Sequence, residues 1–392
     1  MESAHRQFDC QRKIGEVYLN CKYFGECGSC RNYENGYEAQ LLKKLDLNKE
    51  RFVDLYTREF DICRSPENGY RARAEFKIWH IGDVIHYAMN ALEHKGAVII
   101  EECPQVNEHI FALMPKLLKE IDDARIGHKL FGADFLSSSS GEIAVSLLYH
   151  KQLDALWEEK AKEIAQKLGI SIIGRSRKQK LVVGQDYVTE TLHPQGTSHV
   201  RDVDYKFMQI ENSFTQPNPR VNEQMIAWAL EQFEDASGDL LELYCGAGNF
   251  TIPFASKFDK VLATEISKSS ITAAKNNMEL NDVANIEFVR MSAEEFVQAL
   301  DGVREFRRMG EIDITSYALK NIFVDPPRAG MDAESCAFVA RHDTILYISC
   351  NPETLHRDLE LLTQTHKIEK MALFDQFPYT NHVEMGVKLV RL

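Results

Sequence analysis

The chain has 392 residues, 44% hydrophobic and 27% charged, an ordinary globular composition with room for two or three domains of roughly 150 residues each. A net charge of -13 excludes a protein that coats nucleic acid by charge alone, though not one with a local basic face. No apolar run reaches the roughly 20 residues of a membrane span, and Met1-Glu2-Ser3-Ala4-His5-Arg6 lacks the apolar core of a signal peptide, so a cytoplasmic chain is expected.

Nine cysteines are an odd number for a disulfide framework, which leaves free, metal-bound or catalytic thiols. They are dense at the start, from Cys10 to Cys30. Cys21, Cys27 and Cys30 stand at spacings of six and three, and Cys103, ahead of Pro104, offers a fourth thiol. Four thiolates can hold an iron–sulfur cluster, a late ligand before proline being one known pattern; zinc is the other metal reading, and plain thiols a third. Cys10 has no assigned role. A polar, helix-prone stretch follows from Tyr33 to about Arg51.

The next region reads as mixed. Ala74 to Trp79 and Ile143 to Tyr149 are strand-like, Val98 to Ile100 is apolar, and helices are expected from Glu108 to Ala124 and from Leu153 to Leu168. Arg71, Arg73 and Lys77 form one basic group, and Arg175, Arg177, Lys178 and Lys180 a second; either would suit phosphates, and either would equally suit a solvated face. No recognised RNA-binding module stands out. From about Phe207, strands at Leu240–Tyr244, Lys260–Thr264, Ile286–Arg290, Ile322–Val324 and Ile345–Ile348 alternate with helical segments such as Ser269 to Leu280. That alternation predicts an α/β fold with a mostly parallel sheet covered on both faces.

Three strand exits carry chemistry, because ligands of open α/β sheets bind beyond the carboxyl ends of the strands. After the first strand, Gly246-Ala247-Gly248-Asn249-Phe250 lets the backbone turn tightly and approach a ligand. The next strand ends in Glu265, about 20 residues on, where an acid meets ribose hydroxyls. The third glycine of the dinucleotide fingerprint is missing. S-adenosylmethionine has no pyrophosphate to seat, so a methyltransferase fits better than a dehydrogenase. The Ile322 strand exits into Asp325-Pro326-Pro327-Arg328, a stiffened turn that would hold polar groups over a planar ring. A similar triplet occurs in enzymes that methylate exocyclic amines, but there an aromatic residue follows.

The last exit, Tyr347-Ile348-Ser349-Cys350-Asn351-Pro352, delivers a thiol to the rim, and Asn381-His382-Val383-Glu384 places a carboxylate further on. Carbon 5 of uracil is a weak nucleophile until a thiolate adds at carbon 6. After methyl transfer a base must remove the carbon-5 proton before the thiol departs. Cys350 suits the first task and Glu384 the second. Cys63, Cys245 and Cys336 read as buried core thiols.

Several runs resemble the tRNA (uracil-5-)-methyltransferases: Ser213-Phe214-Thr215-Gln216-Pro217-Asn218, Tyr244 to Phe250, Phe323 to Arg328, Tyr347 to Thr354, and Phe374 to Tyr379 with His382-Val383-Glu384. The resemblance runs from about Arg64 to Leu392, and Arg71 to Phe76 and Ser146 to Lys151 look like the members acting on the T-loop uridine. It implies a class I S-adenosylmethionine-dependent methyltransferase fold with an N-terminal α+β RNA-binding domain, and methylation of uridine 54 of tRNA to 5-methyluridine. By the same resemblance Gln216, Tyr244, Asn249, Glu265 and Asp325 contact S-adenosylmethionine, Cys350 is the nucleophile and Glu384 the base. The cysteine-rich start is similar instead to cluster-bearing 23S rRNA members, in which Cys21, Cys27, Cys30 and Cys103 would hold a [4Fe-4S] cluster.

The expected division is a cysteine-rich segment 1–50, an RNA-binding α+β domain 51–205 and a methyltransferase domain 206–392. Expected partners are the T-arm of tRNA, and tmRNA, with neither DNA nor membrane, for a monomer. The alternatives are an rRNA uracil methyltransferase, a base-amine methyltransferase, and a non-catalytic protein that helps tRNA fold.

Overall fold

A computed structural model describes residues 21–93, 95–195, 203–310 and 312–392. Cys10 lies outside the described residues. Two large sheets organise the chain, and a two-stranded ribbon, Tyr187–Leu192 with Tyr205–Ile210, lies between them in the sequence.

The larger sheet has eight strands in the order Asp61–Cys63, His366–Phe374, Glu384–Arg391, Thr344–Ser349, Leu319–Val324, Asp239–Leu243, Val261–Thr264 and Ile286–Val289. The last five run parallel to one another. Glu384–Arg391 is inserted antiparallel between Thr344–Ser349 and His366–Phe374. The apolar runs are continuous because both faces are covered: Leu241, Ile322 and Ile345 pack into one core, and Leu240, Phe323 and Leu346 into the other. From Asp239–Leu243 the chain winds outward to Val261–Thr264 and Ile286–Val289, then returns to the opposite side with Leu319–Val324. This reversal opens a crevice at the strand ends, where the glycine loop and the Asp-Pro-Pro turn both emerge.

The seven-stranded sheet runs Ala97–Ile100, Val84–Asn90, Arg73–Ile81, Leu130–Ser137, Ile143–Tyr149, Ser171–Ser176 and Gln179–Val183. It is antiparallel except where Ile143–Tyr149 pairs with Ser171–Ser176, a parallel step that needs the crossover helix Ala155–Leu168. That helix and Glu108–Asp123 cover one face. Asp154 and Asn107 cap them, each accepting a backbone N–H three residues on.

The expected boundaries each cut through an element. Helix Gly36–Arg51 spans the one at 50/51; Tyr37, Leu41 and Leu45 bury their side chains on the eight-stranded sheet. Strand Asp61–Cys63, placed by sequence in the central domain, pairs with Ala372 to Phe374 on the sheet edge. Strand Tyr205–Ile210 crosses 205/206 and pairs back to Tyr187–Leu192. Each segment follows an unpaired edge or an uncovered apolar face. Among the described residues, no helix is long and apolar enough to cross a membrane.

Candidate active site

The glycine loop begins under strain. Tyr244 takes φ 64°, a left-handed conformation that costs an aromatic residue about 1–3 kcal/mol, and Gly246 follows at 55°. A Cβ at Gly246 would stand in open space with no heavy atom within 4 Å, so the loop leaves a cradle above the strand end. Glu265 anchors it: one carboxylate oxygen accepts the Gly246 N–H at 3.1 Å and the other the Ser267 N–H at 2.7 Å. Each oxygen keeps a lone pair for a hydroxyl donor. Asn249 is locked by reciprocal amide bonds to Asn222, 2.8 and 2.9 Å. Gln216 accepts a 2.7 Å bond from buried Gln376, whose own Oε1 has no partner. The Tyr244 hydroxyl, pushed up to about 12 by burial with Ser335 beside it, turns toward the helix Ala333–Val339. Its place in the site is therefore the backbone turn.

Sequence reading missed Glu242, which is 1% exposed in a strand otherwise apolar from Leu240 to Leu243. Burial pushes its carboxyl well above the usual range, and its Oε2 is unpartnered, as is the nearby Thr251 Oγ1. Burial thus favours its neutral form. An acid inside an apolar strand was the visible signal.

On the same rim, Asn351 caps helix Pro352–Leu362 through the Glu353 N–H and donates its Nδ2 to the Arg328 carbonyl, tying the Cys350 loop to the Asp-Pro-Pro turn. Cys350 is half-buried. Burial, then the charges of Glu384 and Asp325, push its thiol up to about 11. Burial and Glu384 likewise raise Asp325 well above the carboxylate range. Glu384 arrives through pairing: Met385 lies opposite Ser349, so the acid stands beside the exit of the Cys350 strand. Its carboxylate is 3.3 Å from His382 Nε2. Thiol, two acids and glycine cradle thus share one crevice, a set suited to nucleophilic addition and proton removal next to a bound nucleoside.

The four predicted metal ligands lie elsewhere. Cys21, Cys27, Cys30 and Cys103 line one cavity of about 590 Å³ with Arg71, Arg73 and Phe377. Burial and then the other three thiols push Cys30 far up, and burial raises Cys103 to about 11. Among the described residues, no three of these sulfurs lie within 4.8 Å of one another. A single zinc ion, with thiolates about 2.3 Å away, would draw them closer; a four-iron cluster spaces its thiolates more widely. The segment is pinned between two regions, by the Gly28 N–H to Asn90 O and the Arg31 N–H to Tyr379 O, each 2.8 Å.

The basic groups differ from expectation. Arg175 forms a bidentate pair with Glu211, and Lys180 bonds Asp186 at 2.6 Å, so both are largely neutralised. Arg71 stacks over Phe377, 5.6 Å from its centroid, Arg73 donates to the Ser213 carbonyl, and Lys77 bonds Asn90. Arg177 and Lys178 carry no ion pair among the described residues. Arg177 and Lys151 line a second cavity of about 590 Å³ with Phe131 and His150, whose rings stack at 4.0 Å and 13°. Phe131 was not legible in the sequence; the structure shows it 39% exposed on strand Leu130–Ser137.

Comparison with known proteins follows the same lines. The profile of the tRNA (Uracil-5-)-methyltransferase family matches residues 36–392. A tRNA/tmRNA (uracil-C(5))-methyltransferase of Sulfurimonas denitrificans is 63% identical over 374 residues, 95% of this chain and 100% of that protein. One of the same description from Vibrio parahaemolyticus is 46% identical, covering 91% and 97%. The structure of Pyrococcus abyssi tRNA (uracil-54, C5)-methyltransferase with S-adenosyl-L-homocysteine superposes with a TM-score of 0.67 over 91% of this chain and 84% of that one; at 22% identity the likeness is one of fold.

Proposed function

The chain belongs to the tRNA (uracil-5-)-methyltransferase family, and we propose that it methylates the T-loop uridine at position 54 through a transient bond from Cys350 to carbon 6. The methyl donor is S-adenosylmethionine, which supplies an electrophilic methyl group. Gly246, Glu265, Asn249, Gln216 and Asp325 would hold it: the open cradle and the spare acceptors on Glu265 fit a nucleoside bearing hydroxyls.

One observation carries the reading: the strand pairing that sets Glu384 beside the Cys350 exit. With its thiol pushed up to about 11, Cys350 rests mainly as the thiol at neutral pH. Burial, and after it Glu384 and Asp325, favour the protonated thiol, and a cation seated beside the crevice would oppose the two acids. The thiolate then adds to carbon 6, carbon 5 becomes nucleophilic, and Glu384 removes its proton once the methyl group is in place.

Residues 51–205, apart from strand Asp61–Cys63, would hold the T-arm. The stacked Phe131–His150 pair beside Lys151 and Arg177 supports this, since exposed rings beside cations favour unstacked bases. tmRNA, which offers a similar arm, is a second substrate. The protein would work as a cytoplasmic monomer. Cys21, Cys27, Cys30 and Cys103 would ligate a [4Fe-4S] cluster, a reading favoured by their common cavity. Absorbance near about 400 nm with bound iron in anaerobic preparations is expected; colourless, zinc-loaded protein would exclude it.

The deciding experiment supplies labelled methyl donor with tRNA and, separately, rRNA, and analyses the nucleosides by mass spectrometry. Labelled 5-methyluridine at position 54 of tRNA is expected; label in rRNA, or on a base amine, would replace this reading. RNA carrying 5-fluorouridine should form an adduct at Cys350, and its absence rules out the covalent route.

A further inference from the structure

Methylation at carbon 5 releases one proton per turnover, and that proton must reach water before the base can act again. We propose that His382 relays it from Glu384 to solvent, a role that rests on Glu384 being the base. Among the described residues, the hydrogen bond reaching the Glu384 carboxylate is the one with His382 Nε2, at 3.3 Å from Oε1. The Glu384 side chain is 7% exposed and that of His382 26%, so the imidazole joins a buried acid to the surface.

The ring is held in place. The His382 backbone N–H donates to Thr380 Oγ1 at 3.1 Å, and the imidazole meets Phe377 edge-on with centroids 4.7 Å apart. Phe377 is itself covered by the Arg71 guanidinium, which blocks that side with a cation and directs proton exit elsewhere. Cys350 and Asp325, the other titratable groups at the crevice, do not remove this need. The thiol gives its own proton to water when it adds to carbon 6 and recovers one from water on release, so the carbon-5 proton on Glu384 is still to be disposed of.

The step balances without a further reactant. The Glu384 carboxylate takes the carbon-5 proton, the C–H electron pair re-forms the C5–C6 double bond, and the C6–S pair leaves on Cys350. Protonated Glu384 passes the proton to the Nε2 lone pair of a ring carrying its hydrogen on Nδ1, the imidazolium releases the Nδ1 proton to water, and proton exchange with water returns the ring to the Nδ1–H tautomer before the next turnover. Imidazole is suited to this because one ring nitrogen can accept a proton while the other releases one.

The test compares wild-type, His382→Gln and His382→Ala proteins, each verified as folded by thermal unfolding, with tRNA and labelled methyl donor. For His382→Gln, which keeps a hydrogen-bond donor but cannot relay, kcat should fall roughly 10- to 100-fold with KM for both substrates changed less than about twofold. A denaturant-stable protein–RNA adduct already bearing the labelled methyl should accumulate, and added imidazole should restore turnover to His382→Ala. Wild-type kcat in His382→Gln would overturn the relay; so would slowed methyl transfer without imidazole rescue, the mark of a purely structural role. Normal elimination in Glu384→Gln would instead remove the base itself, so the two failures are distinguishable.

Discussion

Strand Asp239–Leu243 of the eight-stranded sheet is buried at every position, whereas Arg73–Ile81 of the seven-stranded sheet alternates and then opens to solvent. A sheet covered on both faces has only its rim for chemistry, so its functional groups gather at strand ends and lie in short, ordered runs. The seven-stranded sheet is covered by helices on one face and only in part by the ribbon on the other, which leaves exposed positions near its strand ends. Its groups come from separate segments, Phe131 on strand Leu130–Ser137 and His150 just past strand Ile143–Tyr149, and no local run announces them. Under the proposed function the first sheet would carry the reaction centre and the second the RNA-holding platform, and substitutions can separate the two.

The largest effect is expected at the rim. Cys350→Ala should lower kcat by about 10⁴-fold or more while leaving tRNA affinity within a few-fold, because only the covalent route is lost. Nucleoside mass spectrometry and a filter-binding titration read the two quantities. Loss of both together would blur the division between reaction centre and platform.

Next comes the join between helix Gly36–Arg51 and the reaction centre. Lys44 is buried against Asp375 at 2.6 Å and also donates to the Phe377 carbonyl at 2.9 Å. Burial lowers the Lys44 ammonium and Asp375 opposes it. Lys44→Met would strand the buried carboxylate, with an expected loss of about 3–5 kcal/mol in denaturant unfolding. A loss under about 1 kcal/mol would show that the helix docks through Tyr37, Leu41 and Leu45 alone.

On the platform, Phe131→Ala should weaken tRNA binding by about 1–3 kcal/mol, seen as a higher KM with kcat held, since a base would lose its stacking partner. A fall in kcat alone would move Phe131 into the reaction centre.

The smallest effect belongs to Glu242. Its folded carboxyl ionises well above the usual range, so the folded state keeps a proton that the unfolded chain loses above about pH 4.5. The wild-type protein therefore loses stability as pH rises from there, and neutral Gln does not. Glu242→Gln should match wild type near about pH 4 and melt a few degrees higher near about pH 7. Equal melting at both would mean that Glu242 is ionised and solvated.

Much of the reaction centre was legible because each group lies within a few residues of a strand end: the Gly246 loop, Glu265, Asp325 and Cys350 all follow apolar runs. Glu384 was legible only through the run around it, for it begins a strand rather than ending one. The sequence also suggested two basic groups. In one of these, Arg175 and Lys180 are engaged by Glu211 and Asp186, partners that the local run does not show, while Arg177 and Lys178 carry no ion pair among the described residues.

The amino-acid order by itself determined the alternating elements and the residue types delivered to the rim, because helix and strand periodicity and chain-breaking Gly and Pro act over a few residues. Tertiary structure decided what those residues meet. It inserted Glu384–Arg391 antiparallel beside the Cys350 strand, carried Asp61–Cys63 to the far edge and brought four thiols to one cavity. These contacts join positions far apart in the chain, and only burial of shared apolar faces and pairing of sheet edges brings them together.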